Sequence, residues 1–363
     1  MTPRPRRSRS RLLLLILVAL AALLPTAAAS IGEAPSSIVD ALKSYQPAAS
    51  NGGFTAASDF TFQIDSASNI ALAVTGSGSM NDANVRFASD LIGAATGYGQ
   101  GIAGPAAQFF RSRLGDLAGK GPSAIGVEEY ELHLTVTGDA PYHLDFTLKP
   151  QTVDPSTFPP AAHSIGPADA KHVIREFSDF QCPFCARFAT DVFPQLKAKL
   201  LAGGDVRFEF HYFPLKTIHP NAMIAAETAE CVTAANDPAS FWTYHDALFA
   251  SQDQWSGLPD PLSALLTIAT DAGLKTDGVQ QCVKDGTYKA AIEKAYQEAG
   301  GQLHLTGTPT LFVDGLKVGD YTQLASYQRL ITLSDAMRAS AAGASKASDA
   351  PAAAAPSGGG TGQ

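Results

Sequence analysis

Cysteine is scarce in this chain, four in 363 residues, and none lies between residues 30 and 150. A single Cys-x-x-C, Cys182 and Cys185, has no second Cys-x-x-C and no Cys/His pair that would complete a tetrahedral set, so zinc is set aside and no metal is expected. Basic residues are outnumbered, giving a formal net charge of −8. The acids are dispersed and form no block for basic partners. Neither nucleic acid nor anionic lipid is therefore an expected partner. The longest apolar run, Leu12 to Leu24, has 13 residues, short of the roughly 20 that a spanning helix needs.

That run reads as part of a leader. Arg4, Arg6, Arg7, Arg9 and Arg11 precede it, and Pro25 and Ala27-Ala28-Ala29 follow, the pattern of a secretory signal cleaved before Ser30. A retained anchor is the alternative, and no cysteine follows the run to take a lipid. Without residues 1–29 the formal charge moves to −13, 21 basic residues against 34 acidic. The protein is expected outside the cytoplasm, in a periplasm or cell envelope, where disulfides persist.

Residues 30–149 read as a small α+β domain of unassigned role. Ser36 to Tyr45 suggests a short helix, and Phe60 to Ile64 and Ile70 to Val74 suggest strands followed by a turn at Gly76-Ser77-Gly78. Asn84 to Leu117 is helical in pattern, broken around Gly97 to Pro105. Tyr130 to Val136 and Tyr142 to Leu148 alternate with period two, as in an antiparallel hairpin. His133 and His143, on those strands, lack partners at metal spacing and read as surface residues. Five prolines between 150 and 167 mark residues 150–168 as an extended linker holding two domains apart. Residues 339–363, mostly Ala, Ser, Gly and Pro, are expected to be disordered.

The second domain, residues 169–338, begins with a strand, Val173 to Phe177, that runs into Cys182-Pro183-Phe184-Cys185. Pro183 suits a first helical turn, and Ala186 to Leu200 spaces Phe188, Val192, Phe193, Leu196 and Leu200 along one helix face. A thiolate at a helix N-terminus is stabilised by free backbone N–H groups and the helix dipole, which makes it a nucleophile near neutral pH. Val206 to Phe213 is a second strand, parallel to the first through a right-handed crossover. A helical insertion over about residues 216–303 follows, then a hairpin around Asp314-Gly315 and a closing helix from Thr322 to Arg338.

This order, with Phe213-Pro214-Leu215, His219-Pro220, Phe241-Trp242-x-Tyr244-His245 and Gly307-Thr308-Pro309-Thr310, closely resembles the DsbA-like thiol:disulfide oxidoreductases of the thioredoxin superfamily. The resemblance implies an α/β thioredoxin-like fold with a helical insertion, preceded here by the small α+β domain. It implies Cys182 as exposed nucleophile, Cys185 as buried resolving thiol and a cis bond between Thr308 and Pro309, beside the cysteines, where backbone is free to pair with substrate. Substrate contacts are expected at Pro183, Phe184 and Thr308. The redox-active disulfide Cys182–Cys185 serves in place of a cofactor. Glu176 matches the position of a buried acid in such proteins, where its raised pKa would let it exchange protons with the thiols; a solvated strand edge is the alternative. His219 reads as a capping or packing residue, and Phe241, Trp242 and Tyr244 as core. Cys231 and Cys282, left over in an exported protein, are expected to pair as some relatives' second cysteines do, with two packed free thiols as the alternative.

The implied activity is disulfide formation in exported proteins with free thiols, with a membrane redox partner resetting the active site. Thr308 differs from the valine of the best-known strong oxidase, which leaves the direction of electron flow open. An isomerase or reductase, dimeric through residues 30–149, and a redox-inactive chaperone or binding protein are the alternatives.

Overall fold

A computed structural model of the chain describes residues 30–50 and 52–348; the expected leader and residues 349–363 of the tail lie outside them. A short helix, α1 (Pro35–Ala41), opens the N-terminal domain. Strands β1 (Ala48–Ser50), β2 (Gly53–Ala56), β3 (Phe60–Ala67) and β4 (Ile70–Ser79) follow, then helices α2 (Asp82–Thr96) and α3 (Gln100–Leu117), then β5 (Ser123–Val127), β6 (Tyr130–Thr137) and β7 (His143–Pro150). The strands form one antiparallel sheet in the order β1-β2-β3-β4-β7-β6-β5. Strict alternation puts Leu132, Leu134, Val136, Leu144, Phe146 and Leu148 on its buried face with Phe87 and Leu91 of α2, and leaves the other face polar.

Two expectations in this domain change. Gly76-Ser77-Gly78 is not a turn but the interior of β4. A Cβ at Gly76 would collide with the rings of Phe146 and Phe60, and one at Gly78 with Phe60, so these glycines make room for aromatic core rather than bending the chain. The helical break is also narrower, confined to residues 97–99, and Pro105 sits inside α3.

The second domain contains β8 (His163–Ile165), β9 (His172–Ser178), α4 (Pro183–Arg187), a π-helical turn (Phe188–Val192), α5 (Phe193–Lys199) and β10 (Val206–Tyr212). Helices α6 (Ala222–Ala235), α7 (Ser240–Ala250), α8 (Gln252–Trp255), α9 (Leu262–Asp271), α10 (Val279–Lys284) and α11 (Lys289–Gln302) make the insertion. Strands β11 (Thr310–Val313) and β12 (Leu316–Lys317) and the long α12 (Leu324–Ser348) complete it. The sheet order is β12-β11-β9-β10-β8, with β9 and β10 parallel and the other pairs antiparallel. This is a thioredoxin-like α/β core with a helical insertion. The single helix expected from 186 to 200 is interrupted because Pro194 has no N–H to return to the preceding turn, and the chain widens into a π turn there.

The stretch 150–168 is not a spacer. Thr152 bridges Leu316, Val153 N–H donates to Gly315 O at 2.8 Å, and Phe158 packs against Phe177 and Phe312 under the Arg175 guanidinium. His163–Ile165 adds an edge strand to the second sheet, and His163 stacks on Phe241 with centroids 3.5 Å apart. Prolines hold the backbone extended, which suits adhesion along a sheet edge as well as separation. The tail is shorter than expected too, since α12 continues ten residues past Arg338, to Ser348, through an Ala-rich stretch of high helix propensity. One hydrophobic core runs through both domains, taking Ile31, Phe60 and Phe87 from the first and Ile174, Phe193, Phe208, Leu311 and Tyr327 from the second.

Candidate active site

Strand β9 is the central strand of the second sheet, so side chains pointing to either face are covered. Glu176 is fully buried there, which removes the solvated-edge alternative. Its Oε1 accepts a 2.6 Å hydrogen bond from the Ser178 hydroxyl, and its Oε2 has no partner among the described residues. Burial raises its pKa to about 8, helped by charge on Cys182 and opposed by Ser178. At neutral pH this carboxyl holds its proton.

The chain leaves β9 through Asp179, whose buried carboxylate accepts from Gln181 N (2.8 Å), Leu215 N (2.9 Å) and His219 Nδ1 (2.7 Å). His219 thus braces the loop before the cysteines and caps no helix. Cys182 then takes the N-cap position of α4, with extended backbone at φ −74°, and Pro183 opens the helix. Cys182 and Cys185 are free thiols. The expected exposed nucleophile is only 3% exposed, and Cys185 is fully buried. The Thr308 carbonyl lies against the Cys182 sulfur, at 3.3 Å.

The two thiols are pushed in opposite directions. Cys182 is pulled down to about 6, first by the hydrogen bond from Cys185, then by Thr308 and by the backbone N–H groups of Cys185 and Phe184, against the cost of burial. Cys185 is pushed well above the ordinary thiol value, first by burial, then by Cys182 and by the charge of Glu176, with Ser178 opposing through a hydrogen bond. Ser178 therefore bonds the carboxyl and also bears on the resolving thiol's pKa.

The Thr308–Pro309 bond is cis, and the Thr308 carbonyl accepts from the Cys182 thiol at 3.3 Å. Pro183 lies on the first turn of α4, and Phe184 is 52% exposed. Ile218 and Leu258 are the other exposed large apolar side chains among the described residues. Both belong to loops gathered at Gln181, whose Oε1 accepts from Asn221 N (2.6 Å) while its Nε2 donates to Ser256 O (2.7 Å); Asn221 Nδ2 donates to Leu258 O (2.8 Å). Sequence reasoning did not single out Ser178, Asp179, Gln181 or Asn221. The available signal was a run of polar residues between a buried strand and a cysteine helix.

Cys231 on α6 and Cys282 on α10 form a disulfide, with Cα atoms 6.0 Å apart. Phe241 and Tyr244 are buried in the insertion's core, Tyr244 donating to Leu265 O at 2.9 Å, and Trp242 packs against that core. His133 and His143 lie half-exposed on the polar face of the first sheet, bonded to Glu131 and Ser77. Among the described residues no group of three or more His, Cys, Asp or Glu side chains is placed to hold a metal ion. No described helix is long and apolar enough to cross a membrane.

A thioredoxin family model matches residues 159–332. The probable disulfide bond formation protein D of Bacillus anthracis is 31% identical over 158 residues, 42% of this chain and 69% of that protein. Disulfide bond formation protein D of Bacillus subtilis is 28% identical, over 41% of this chain and 66% of its own length. Similar identity, 32%, is found with the Na(+)/H(+) antiporter NhaA 1 of Salinispora arenicola, of which the chain spans less than a quarter, 22%. Among solved structures, oxidised BdbD of Bacillus subtilis aligns with 51% of this chain and 96% of its own at a TM-score of 0.43 and 24% identity. Wolbachia pipientis alpha-DsbA1 aligns with 52% and 96% at 0.44, also at 24% identity. With its cysteine pair and sheet order, the chain belongs through this domain to the DsbA-like thiol-disulfide oxidoreductases of the thioredoxin family.

Proposed function

We propose that this protein is exported and introduces disulfides into proteins outside the cytoplasm, using Cys182 as the exchanging thiol and Cys185 as the resolving thiol. The observation that carries the reading is the opposite displacement of the two thiols, Cys182 down to about 6 and Cys185 well up. A stabilised Cys182 thiolate favours the reduced site, and a site that favours its reduced form is an oxidant when it holds a disulfide.

In the forward direction a substrate thiolate attacks Sγ of Cys182 in the Cys182–Cys185 disulfide. A substrate–Cys182 bond forms, the bond to Cys185 breaks, and Cys185 leaves with the electron pair. Its high proton affinity demands a proton, and Glu176, protonated at neutral pH, supplies it through or alongside the Ser178 hydroxyl. The substrate's second thiolate then attacks the substrate sulfur and expels Cys182 as a thiolate, the better leaving group of the pair. Two electrons have moved from the substrate dithiol to the enzyme, and a membrane redox partner removes them.

Substrate polypeptide binds along the backbone at Thr308 and Pro309, and its apolar side chains meet Pro183, Phe184, Ile218 and Leu258. Gln181 and Asn221 hold the last two beside the cysteine helix. The names of the Bacillus relatives support this direction, and the Arg-rich, apolar N-terminus supports export. A reduced peptide with two cysteines tests the reading: wild-type protein, preoxidised, closes it stoichiometrically, and Cys185→Ser accumulates a mixed disulfide through Cys182. Failure of wild-type protein to oxidise the peptide, with no mixed disulfide in Cys185→Ser, would refute it.

A further inference from the structure

The N-terminal domain meets the second domain's loop between β12 and α12 through one carboxyl. Glu129, in the two-residue turn between β5 and β6, is 5% exposed. Its Oε2 accepts from the Tyr98 hydroxyl at 2.8 Å, and its Oε1 lies 3.7 Å from Arg329 of α12. Arg329 also donates to Ile31 O (2.8 Å) and to the Tyr130 hydroxyl (3.3 Å), so groups from both ends of the chain meet here. The carboxylate lies directly against Gly319: a Cβ there would collide with both oxygens and the carboxyl carbon. A buried carboxyl, its pKa raised by burial, bonded to Tyr98, set near Arg329 and pressed against another domain's backbone is an expensive arrangement for a simple linker contact.

Gly319 lies in the loop, residues 318–323, that leads from β12 to α12, and that loop is tied to the strand beside Glu176. Val318 N–H donates to Leu311 O at 2.9 Å, and Leu311 lies opposite Glu176 in the β11–β9 register. Burial raises the pKa of the loop's Tyr321, and charge on Cys185 and Cys182 adds to the rise. Tyr321 O accepts a 2.9 Å hydrogen bond from the hydroxyl of Tyr327, a fully buried residue whose ring packs on Phe188 just beyond the cysteine helix. The groups that interact with Glu176 are Ser178, Cys182, Cys185 and Tyr327, and Tyr327 is the residue to which the loop is fastened.

From this geometry we propose that Glu129 is a positioning residue, and that the N-terminal domain acts as an in-cis brace that seats the Gly319–Tyr321 loop and keeps water from the Glu176–Cys185 pair. The inference rests on the proposed role of Glu176 as proton carrier. Replacing the Glu129 carboxyl loosens the loop, lets water reach Glu176, and moves its titration back toward the ordinary carboxyl range.

The test uses the full chain with two readouts, hydrogen exchange at Gly319–Tyr321 and the titration of the Glu176 carboxyl by carbon NMR, assigned by its loss in Glu176→Gln. Glu129→Gln is expected to speed exchange in that loop at least about tenfold and to lower the Glu176 titration by about one unit, a tenfold shift in its proton equilibrium. Gly319→Ala, which displaces the loop from the other side of the same contact, is expected to do the same and serves if Glu129→Gln does not fold. Asp90→Asn, which removes the charge from the acceptor of the Tyr45 hydroxyl inside the N-terminal domain, is expected to change neither. Unchanged exchange and titration in both junction variants would overturn the brace, as would faster exchange with no shift at Glu176, or an equal shift in Asp90→Asn. A wild-type Glu176 that titrates in the ordinary carboxyl range would instead refute its proton-carrier role, while the exchange readout still reports on the loop.

Discussion

Two cysteine pairs share this domain, and their surroundings give them opposite characters. Cys182 and Cys185 sit three positions apart at the start of a short helix, where free backbone N–H groups stabilise one thiolate and burial beside Glu176 destabilises the other. Cys231 and Cys282 are 51 positions apart on two packed helices of the insertion and are joined in a disulfide. The first pair is placed for exchange and the second for holding a fold together. Sequence separation and position on a helix, rather than cysteine itself, decide which a pair becomes.

The largest effect expected from breaking this contrast is at Cys182. Cys182→Ser is expected to reduce oxidation of a reduced peptide to background with little change in melting temperature, whereas wild-type rates in that variant would remove Cys182 from the chemistry. Next, the double change Cys231→Ala and Cys282→Ala is expected to cost about 4 kcal/mol of stability on the loop-entropy model for a loop of some 50 residues, while leaving the Cys182 titration in place. Denaturant unfolding and thiolate absorbance check the two halves separately. Mild reductant followed by alkylation is expected to label Cys182 and Cys185 well before the other two.

Glu176→Gln separates activity from stability. Between about 4.5 and about 8 an unfolded chain has lost this proton while the folded chain keeps it, so the wild type loses stability as pH rises through that window. The variant is expected to be more stable at pH 8, by up to about 4 kcal/mol, and equal at pH 4. Its exchange rate is expected to fall roughly a hundredfold, the low end for a positioned general acid. Stability curves that run parallel at both pH values would contradict the buried protonated state. Ser178→Ala is the smallest change, a slowing of roughly three- to tenfold for one lost hydrogen bond. No slowing would mean that Glu176 and Cys185 exchange protons without the hydroxyl.

Much of the second domain was legible because its signals are local. The Cys-x-x-C with Pro183, the apolar run into Glu176 and the Asp314-Gly315 turn each state their own geometry, and Asp314 and Gly315 both take positive φ in the two-residue hairpin. What was not legible depends on distant partners. Gly76 and Gly78 look like turn residues until the rings of Phe60 and Phe146 occupy the space beside them. The proline-rich stretch looks like a spacer until Thr152 meets Leu316, and the burial of Cys182 depends on a loop that returns 126 residues later. Ser178 carries no pattern of its own, and only the fold shows that its hydroxyl bonds the buried Glu176 carboxyl.

The equilibrium of the Cys182–Cys185 pair with glutathione bears most directly on the central claim, that a stabilised Cys182 thiolate makes this site an oxidant. A reduction potential near about −120 mV is the expected result, and one near about −270 mV, the range of a dedicated reductant, would contradict it.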